Sequence, residues 1–186
     1  MTKNSPTRYI SMLRGINVGG NKKIKMDALR QMYTELGFSY VQSFIQSGNV
    51  VFSCAEKDIK TLEKSISDGI LNTFGFEVPT LVLNAVELAN TLTINPFISD
   101  KTKDASYIHL TFLSVQPNDI LVEKLSPLDF TPDEFQCIGK TVYLYCPNGY
   151  GNTKLNNTFF EKKLKIVATT RNLRTCNELL NRTRIE

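Results

Sequence analysis

The chain has no tryptophan and a single histidine, His109. One imidazole excludes a histidine-rich metal site, and no metal is expected. The four cysteines, Cys54, Cys137, Cys146 and Cys176, show no C-x-x-C spacing. Reduced thiols, buried like small hydrophobes, are therefore expected. No apolar run reaches the roughly 20 residues that span a bilayer, and Met1 to Arg8 carries no apolar signal region. The expected location is cytoplasmic, with no membrane partner. Catalytic signatures are missing as well. There is no G-x-S-x-G around Ser47, the carboxylates form no readable pair, and Cys54 has no adjacent cation to lower its pKa. Gly15 and Gly20 have Walker A separation, but Asn21 stands where lysine is required and no Ser or Thr follows Lys22. The Rossmann G-x-G-x-x-G is absent too.

What the chain does have is an uneven distribution of charge. Of its 186 residues, 41% are apolar, enough for a core, and the formal net charge is +4. Residues 1–30 carry a net +6, residues 31–149 a net −7 and residues 150–186 a net +5. Two basic ends flank an acidic middle. They are either solvated faces or two contributors to one positive cleft.

The first basic end holds the most informative stretch, Leu13-Arg14-Gly15-Ile16-Asn17-Val18-Gly19-Gly20-Asn21-Lys22-Lys23. It follows an apolar strand-like run, Arg8–Leu13, and precedes an amphipathic helix beginning at Met26. Glycines leave amide N–H groups unshielded, and Arg14, Lys22 and Lys23 add positive charge beside them. No Ser, Thr or Asn stands just before Met26. If Asp27 lies inside the first turn instead of capping it, the helix keeps free N–H groups for an anion. The alternative is a structural loop crossing from a sheet edge to its helix.

Periodicity organises the rest. Helical spacing is expected over Met26–Leu36, and a hairpin from Tyr40–Ile45 and Val50–Phe52 through Ser47-Gly48-Asn49. A second helix is marked by Ile59, Leu62, Ile66, Ile70 and Phe74, and a last strand by Pro79–Leu83. The order βαββαβ is that of a ferredoxin-like unit. Asn84 and Glu87 cap a linking helix, and Ser99–Asp104 reads as a linker. The pattern then restarts. Tyr107–Leu113 reads as a strand and Pro117–Leu125 as a helix. Phe135–Ile138 and Thr141–Cys146 form a hairpin through Gly139-Lys140. A helix at Leu155–Leu164, a short strand at Ile166–Ala168 and a closing helix from Leu173 complete it. The expected fold is α+β: duplicated ferredoxin-like units with antiparallel or mixed sheets and helices on one face. Residues 1–98 form the half with the glycine-rich basic loop, and 99–186 the half with the C-terminal helix.

Two further segments resemble the first loop. Gly149–Lys154 ends at an expected helix start, with Asn152 or Thr153 as N-cap and Lys154 in the first turn, against the helix dipole. Thr169-Thr170-Arg171-Asn172 reads as another helix start. Strand alternation in the second half sets Tyr107, His109 and Thr111 beside Thr141, Tyr143 and Tyr145 on one face. That face is either a packing surface or an aromatic platform for single-stranded RNA, although the RNP1 pattern is missing.

Taken together, L-R-G-I-N-V-G-G at 13–20, K-I-K-M at 23–26, Q-S-G-N-V-V-F at 46–52, T-K-L at 153–155 and A-T-T-R-N at 168–172 resemble the bacterial domain-of-unknown-function family 1697. The resemblance implies a duplicated α+β fold and no agreed activity. It marks Arg14, Gly15, Asn17, Gly19, Gly20, Ser47, Gly48, Asn49, Lys154, Thr170, Arg171 and Asn172. Leu173 departs from it, since tryptophan is expected after R-N. Three functions follow as expectations. The first is a site for a small phosphate- or carboxylate-bearing ligand, built from the marked residues with Lys22 and possible as a catalytic site. The second is a protein–protein interaction module, and the third a single-stranded RNA binder. No cofactor, reaction or oligomeric state is specified by these residues.

Overall fold

A computed structural model describes residues 6–56 and 58–184; the first five residues, part of the segment Met1 to Arg8 considered above, lie outside the described residues. The chain divides into two compact units: Met1–Ala89 with Glu178–Glu186, and Asn90–Asn177. The architecture is α+β, with two four-stranded antiparallel sheets and six α-helices among the described residues.

In the first unit the elements are β1 (Thr7–Leu13), α1 (Met26–Glu35), β2 (Ser39–Phe44), β3 (Asn49–Cys54), α2 (Ile59–Phe74) and β4 (Thr80–Asn84). Its sheet runs β2-β3-β1-β4. Residues directly opposite in an antiparallel ladder share a face. Tyr9 pairs with Phe52, Ser11 with both Val50 and Val82, and Leu13 with Thr80. This face meets Leu29, Met32 and Tyr33 of α1 and Leu62, Ile66 and Ile70 of α2. Burying each such aliphatic side chain stabilises the fold by about 1.5–3 kcal/mol. Two helix-long stripes thus hold the sheet. One polar pair sits among them: Ser11 Oγ and Tyr33 Oη lie 2.7 Å apart. On the opposite face Ile10, Met12 and Val51 are also fully buried. There Arg182 Nη1 approaches Gln42 Oε1 at 3.4 Å, and its guanidinium lies over the Phe44 ring.

Helix α2 starts on Asp58, whose carboxylate accepts from Thr61 N, and stops at Gly75 with φ +80°. The short helix α3 (Ala85–Thr93) follows β4. Asn84 Oδ1 accepts from Glu87 N while Glu87 Oε2 accepts from Asn84 N. That is the reciprocal box expected from their spacing.

The second unit comprises β5 (Ile108–Leu113), α4 (Asp119–Glu123), β6 (Glu134–Ile138), β7 (Thr141–Tyr145), α5 (Asn157–Leu164), β8 (Ala168–Asn172) and the start of α6 (Leu173–Arg182). Its sheet order, β6-β7-β5-β8, has the same sequence of connections as the first. Val142, Leu144 and Leu113 pack on Phe160 and Leu164 of α5, with Leu125 and Leu155. Three expectations change here. Helix α4 is only five residues long, because Asn118 caps it and leaves Pro117 outside. The strand expected at Ile166–Ala168 instead runs from Ala168 to Asn172 and pairs with β5 along its whole length. The segment read as a linker is tied down, since Lys103 bonds Glu134 and lies 4.4 Å from the Tyr145 ring centroid.

The turn between β2 and β3 is the tightest point of the first unit. Gly48 has φ +75°, and a Cβ there would lie 2.7 Å from Leu13 Cβ and 2.8 Å from Ile16 Cδ1. Both neighbours are fully buried. Left-handed strain and overpacking add, so Gly48→Ala is expected to destabilise the protein by about 2–4 kcal/mol in urea unfolding. A loss below about 0.5 kcal/mol would show that the turn relaxes freely.

Candidate functional site

The chain leaves β1 at Leu13 and reaches α1 through a loop with its own internal order. Val18 and Asn21 form an isolated bridge around Gly19 (φ +59°) and Gly20 (φ +80°). Two successive left-handed residues are what a two-residue hairpin turn requires, and glycine adopts them without steric cost. Asn21 N donates to Val18 O and Asn17 N to Lys22 O, both at 3.2 Å. Asn17, itself at φ +55°, braces the loop with its side chain. Its Nδ2 donates to Ile24 O at 3.0 Å and to Gln46 O at 2.8 Å, and its Oδ1 accepts from Ile24 N at 2.9 Å. The amide thereby joins the loop to its own exit and to the tip of the β2–β3 hairpin. Arg14 N donates to Pro79 O, and Lys22 Nζ to Glu77 O at 2.6 Å.

Bracing uses the amides of Asn17 and Asn21, whereas those of Gly15, Gly19 and Gly20 have no protein acceptor among the described residues. Directly after the loop, α1 begins with Lys25 at its N-cap position and no side-chain cap hydrogen bond. Asp27 lies inside the first turn, where its carboxylate accepts from Arg30 and leaves the backbone donors alone. Each of the other five helices carries an asparagine or aspartate at its start, with a carbonyl or carboxyl oxygen accepting a first-turn N–H: Asp58, Asn84, Asn118, Asn156 and Asn172. The uncapped start therefore coincides with the glycine loop and with the cations Lys22, Lys23 and Lys25.

Ser47 and Asn49 are engaged within the hairpin. Asn49 is fully buried, and its Nδ2 donates to Ser47 Oγ at 3.0 Å and to Phe44 O at 3.2 Å. Both residues shape the turn that Asn17 grips.

The remaining candidates fall in the second unit, in different surroundings. Lys154 is not in a helical first turn. The N-cap of α5 is Asn156, replacing the expected Asn152 or Thr153, so the supposed conflict between Lys154 and the helix dipole does not arise. Lys154 lines a cleft of about 250 Å³ with Asp129, Asp133 and Asn152. Thr170, Arg171 and Asn172 belong to β8, which runs directly into the expected helix start, where Asn172 caps α6 through Thr175 N at 2.7 Å. Arg171 is 9% exposed and donates to Thr169 Oγ1 and Thr170 O. Thr170 Oγ1 is the centre of a network. It donates to Asn157 Oδ1 at 2.7 Å and accepts from Tyr150 Oη at 3.0 Å. Its one proton is thus committed, and Thr111 Oγ1, 2.7 Å away, must be the donor of that pair.

The tyrosine face is not formed as expected. The register pairs His109 with Leu144 and Thr111 with Val142, so these share the face under α5. Tyr143 and Tyr145 lie on the other face with Leu110 and Ile108. Tyr143 is fully buried and donates to Thr91 O at 2.8 Å, and burial pushes its hydroxyl up to about 12. Alternation along each strand was right, but its phase between strands was not. His109 stacks on Tyr150 with centroids 4.8 Å apart, and Nδ1 lies 3.1 Å from Tyr107 O. Burial holds its pKa below the ordinary 6.5, against the raising effect of the Tyr107 carbonyl. The folded state therefore favours neutral imidazole, and the unfolded chain takes up the proton first as pH falls. This contribution to stability is full above about pH 6.5 and is lost as pH falls through the folded value. His109→Phe is expected to flatten the stability curve as pH falls below about 6.5, followed by urea unfolding. An unchanged slope would refute the assignment.

Comparison with known proteins supports the fold and the grouping. The chain resembles the solved structure of the conserved bacterial protein SP0830 from Streptococcus pneumoniae, with a TM-score of 0.76, 23% identity and coverage of 96% of this chain and 99% of that one. At that identity the likeness is one of fold. No curated protein matches the sequence significantly. The model of the family described as protein of unknown function (DUF1697) matches residues 7–143, from the first residue of β1 into β7. The chain, with its glycine loop and first hairpin inside that match, belongs to the DUF1697 family.

Proposed function

We propose that the protein binds a small phosphate- or carboxylate-bearing ligand at the loop between β1 and α1. The observation that carries this reading is the uncapped start of α1, where Lys25 offers no side-chain acceptor. Free first-turn N–H groups and the positive end of the helix dipole favour an anion. The unbonded amides of Gly15, Gly19 and Gly20 add directed donors, and Arg14, Lys22 and Lys23 add charge. Asn17 and Asn49 act by holding the two loops in place, and Thr170, Arg171 and Asn172 by building the second sheet. We also read the two units as copies of one ferredoxin-like element, a reading supported by their identical order of connections. A partner surface is the second reading, favoured by Val18 and Ile45, which are 64% and 50% exposed on loops joined through Asn17. The RNA reading loses its platform with the burial of Tyr143.

Inorganic pyrophosphate is the probe. It is expected to raise the melting temperature above that in sodium chloride of equal ionic strength. Lys25→Asn supplies the missing cap, so it should stabilise the free protein by about 1 kcal/mol and abolish the pyrophosphate effect. Lys25→Gln removes the same charge without a good cap and should retain most of the effect. Arg14→Ala should weaken binding about tenfold. No wild-type shift beyond the chloride control, or equal binding by Lys25→Asn and wild type, defeats the proposal.

A further inference from the structure

A second site lies at the opposite end of β1. The seven residues from Thr7 to Leu13 span roughly 20 Å at about 3.3 Å per residue, which separates it from the glycine loop. Here the first unit has a groove of about 540 Å³. Ala85, Val86 and Ala89 of α3 and Leu180 of α6 give it an apolar lining. Val86 is 68% exposed on this wall. Arg8 and Arg184 also line the groove, and among the described residues none that lines it is acidic.

Neither arginine has a carboxylate partner among the described residues. Arg8 places its guanidinium carbon 3.1 Å from the Tyr40 ring centroid, and its Nη1 is buried with no hydrogen-bond acceptor among the described residues. Stacking on an aromatic ring fixes the guanidinium plane while leaving its in-plane donors for a planar anion. The nearby carboxylate of Glu87 is already engaged by the backbone of Asn84 at the start of α3. That box also removes the helix terminus as the source of the attraction, which leaves the two side-chain cations.

An apolar wall beside two guanidinium groups, in a pocket of the size that accepts small molecules, matches one ligand chemistry. We propose that this groove binds an amphipathic carboxylate of the medium-chain fatty-acid class. Its hydrocarbon lies along Ala85, Val86, Ala89 and Leu180, and its carboxylate meets Arg8 and Arg184. The site is independent of the anion loop.

Octanoate is the probe and octanol its neutral counterpart, both titrated into the full chain by calorimetry. Octanoate should bind at least tenfold more tightly than octanol. Arg184→Gln should remove most of that difference. Val86→Trp, an exposed change that fills the groove, should block both ligands while leaving the far-ultraviolet spectrum intact. Lys25→Asn should leave octanoate affinity unchanged, which separates this site from the loop. Equal binding of octanoate and octanol, or undiminished octanoate affinity in Val86→Trp, overturns the proposal.

Discussion

The side-chain amide of Asn17 is the interaction on which the loop end of the first unit depends. Three bonds, to Ile24 N, Ile24 O and Gln46 O, use both of its hydrogens and one lone pair of its oxygen. An amide can satisfy a backbone donor and two acceptors at once, and asparagine tolerates the left-handed conformation found here at φ +55°. Few residues meet both demands. Aspartate would bring two acceptors and no donor, and serine is too short to bridge three backbone groups. Because Ile24 is bound on both its N–H and C=O, the residues just before α1 are fixed. The direction in which α1 opens is fixed with them.

That brace rests on a second constraint, the packing at Gly48. Leu13 N donates to Gly48 O at 2.8 Å, which joins the end of β1 to the hairpin tip that Asn17 also grips. Leu13 and Ile16 close over the glycine with no room for a methyl group. Apolar packing below and hydrogen bonds above thus hold one loop from two sides. The second unit fixes its corresponding end differently. A hydroxyl cluster centred on Thr170 ties β8, β5, Tyr150 and the start of α5 together, and Asn156 caps that helix. The donors left open beside α1 are closed in the second unit, although the strand order is the same.

Much of the fold was legible because its signals are local. Helical spacing from Ile59 to Phe74, followed by glycine, placed α2 at its observed bounds, and Asn84 with Glu87 placed the box before α3. The missing cap before Met26 could be read from residue types alone. What failed was non-local. Alternation fixes which residues of one strand share a face, but only the ladder fixes which face of its neighbour they join. Tyr107–Thr111 was therefore set beside the wrong side of β7. Thr169–Asn172 does lead into a helix start, with Asn172 as its cap, but the strand formed by Ala168–Asn172 was missed because it comes from β5, which offers a full edge of partners. Lys103 sat in a polar stretch with no local signal that Tyr145 and Glu134, distant in sequence, would hold it. Arg8 was likewise invisible as a site residue, since its setting depends on Tyr40 from another strand.

Strand β1 is central in its sheet, paired on both sides, and its residues from Tyr9 to Leu13 are all buried. Such a strand transmits no side-chain freedom, because a one-residue slip would exchange its two buried faces and unfit the side chains packed on both. Any role must then lie at its two ends, where the chain leaves the ladder. One end leads into a loop with open amides, the other to arginines on an apolar wall. The two ends differ in how they would attract an anion. Under the proposed readings, backbone donors fixed by Asn17 would add a directional attraction at the loop beside that of Arg14, Lys22 and Lys23. At the groove Arg8 and Arg184 would act through net charge at a partly exposed surface. Both ends would then weaken as ionic strength rises, the loop less steeply because part of its attraction comes from fixed dipoles.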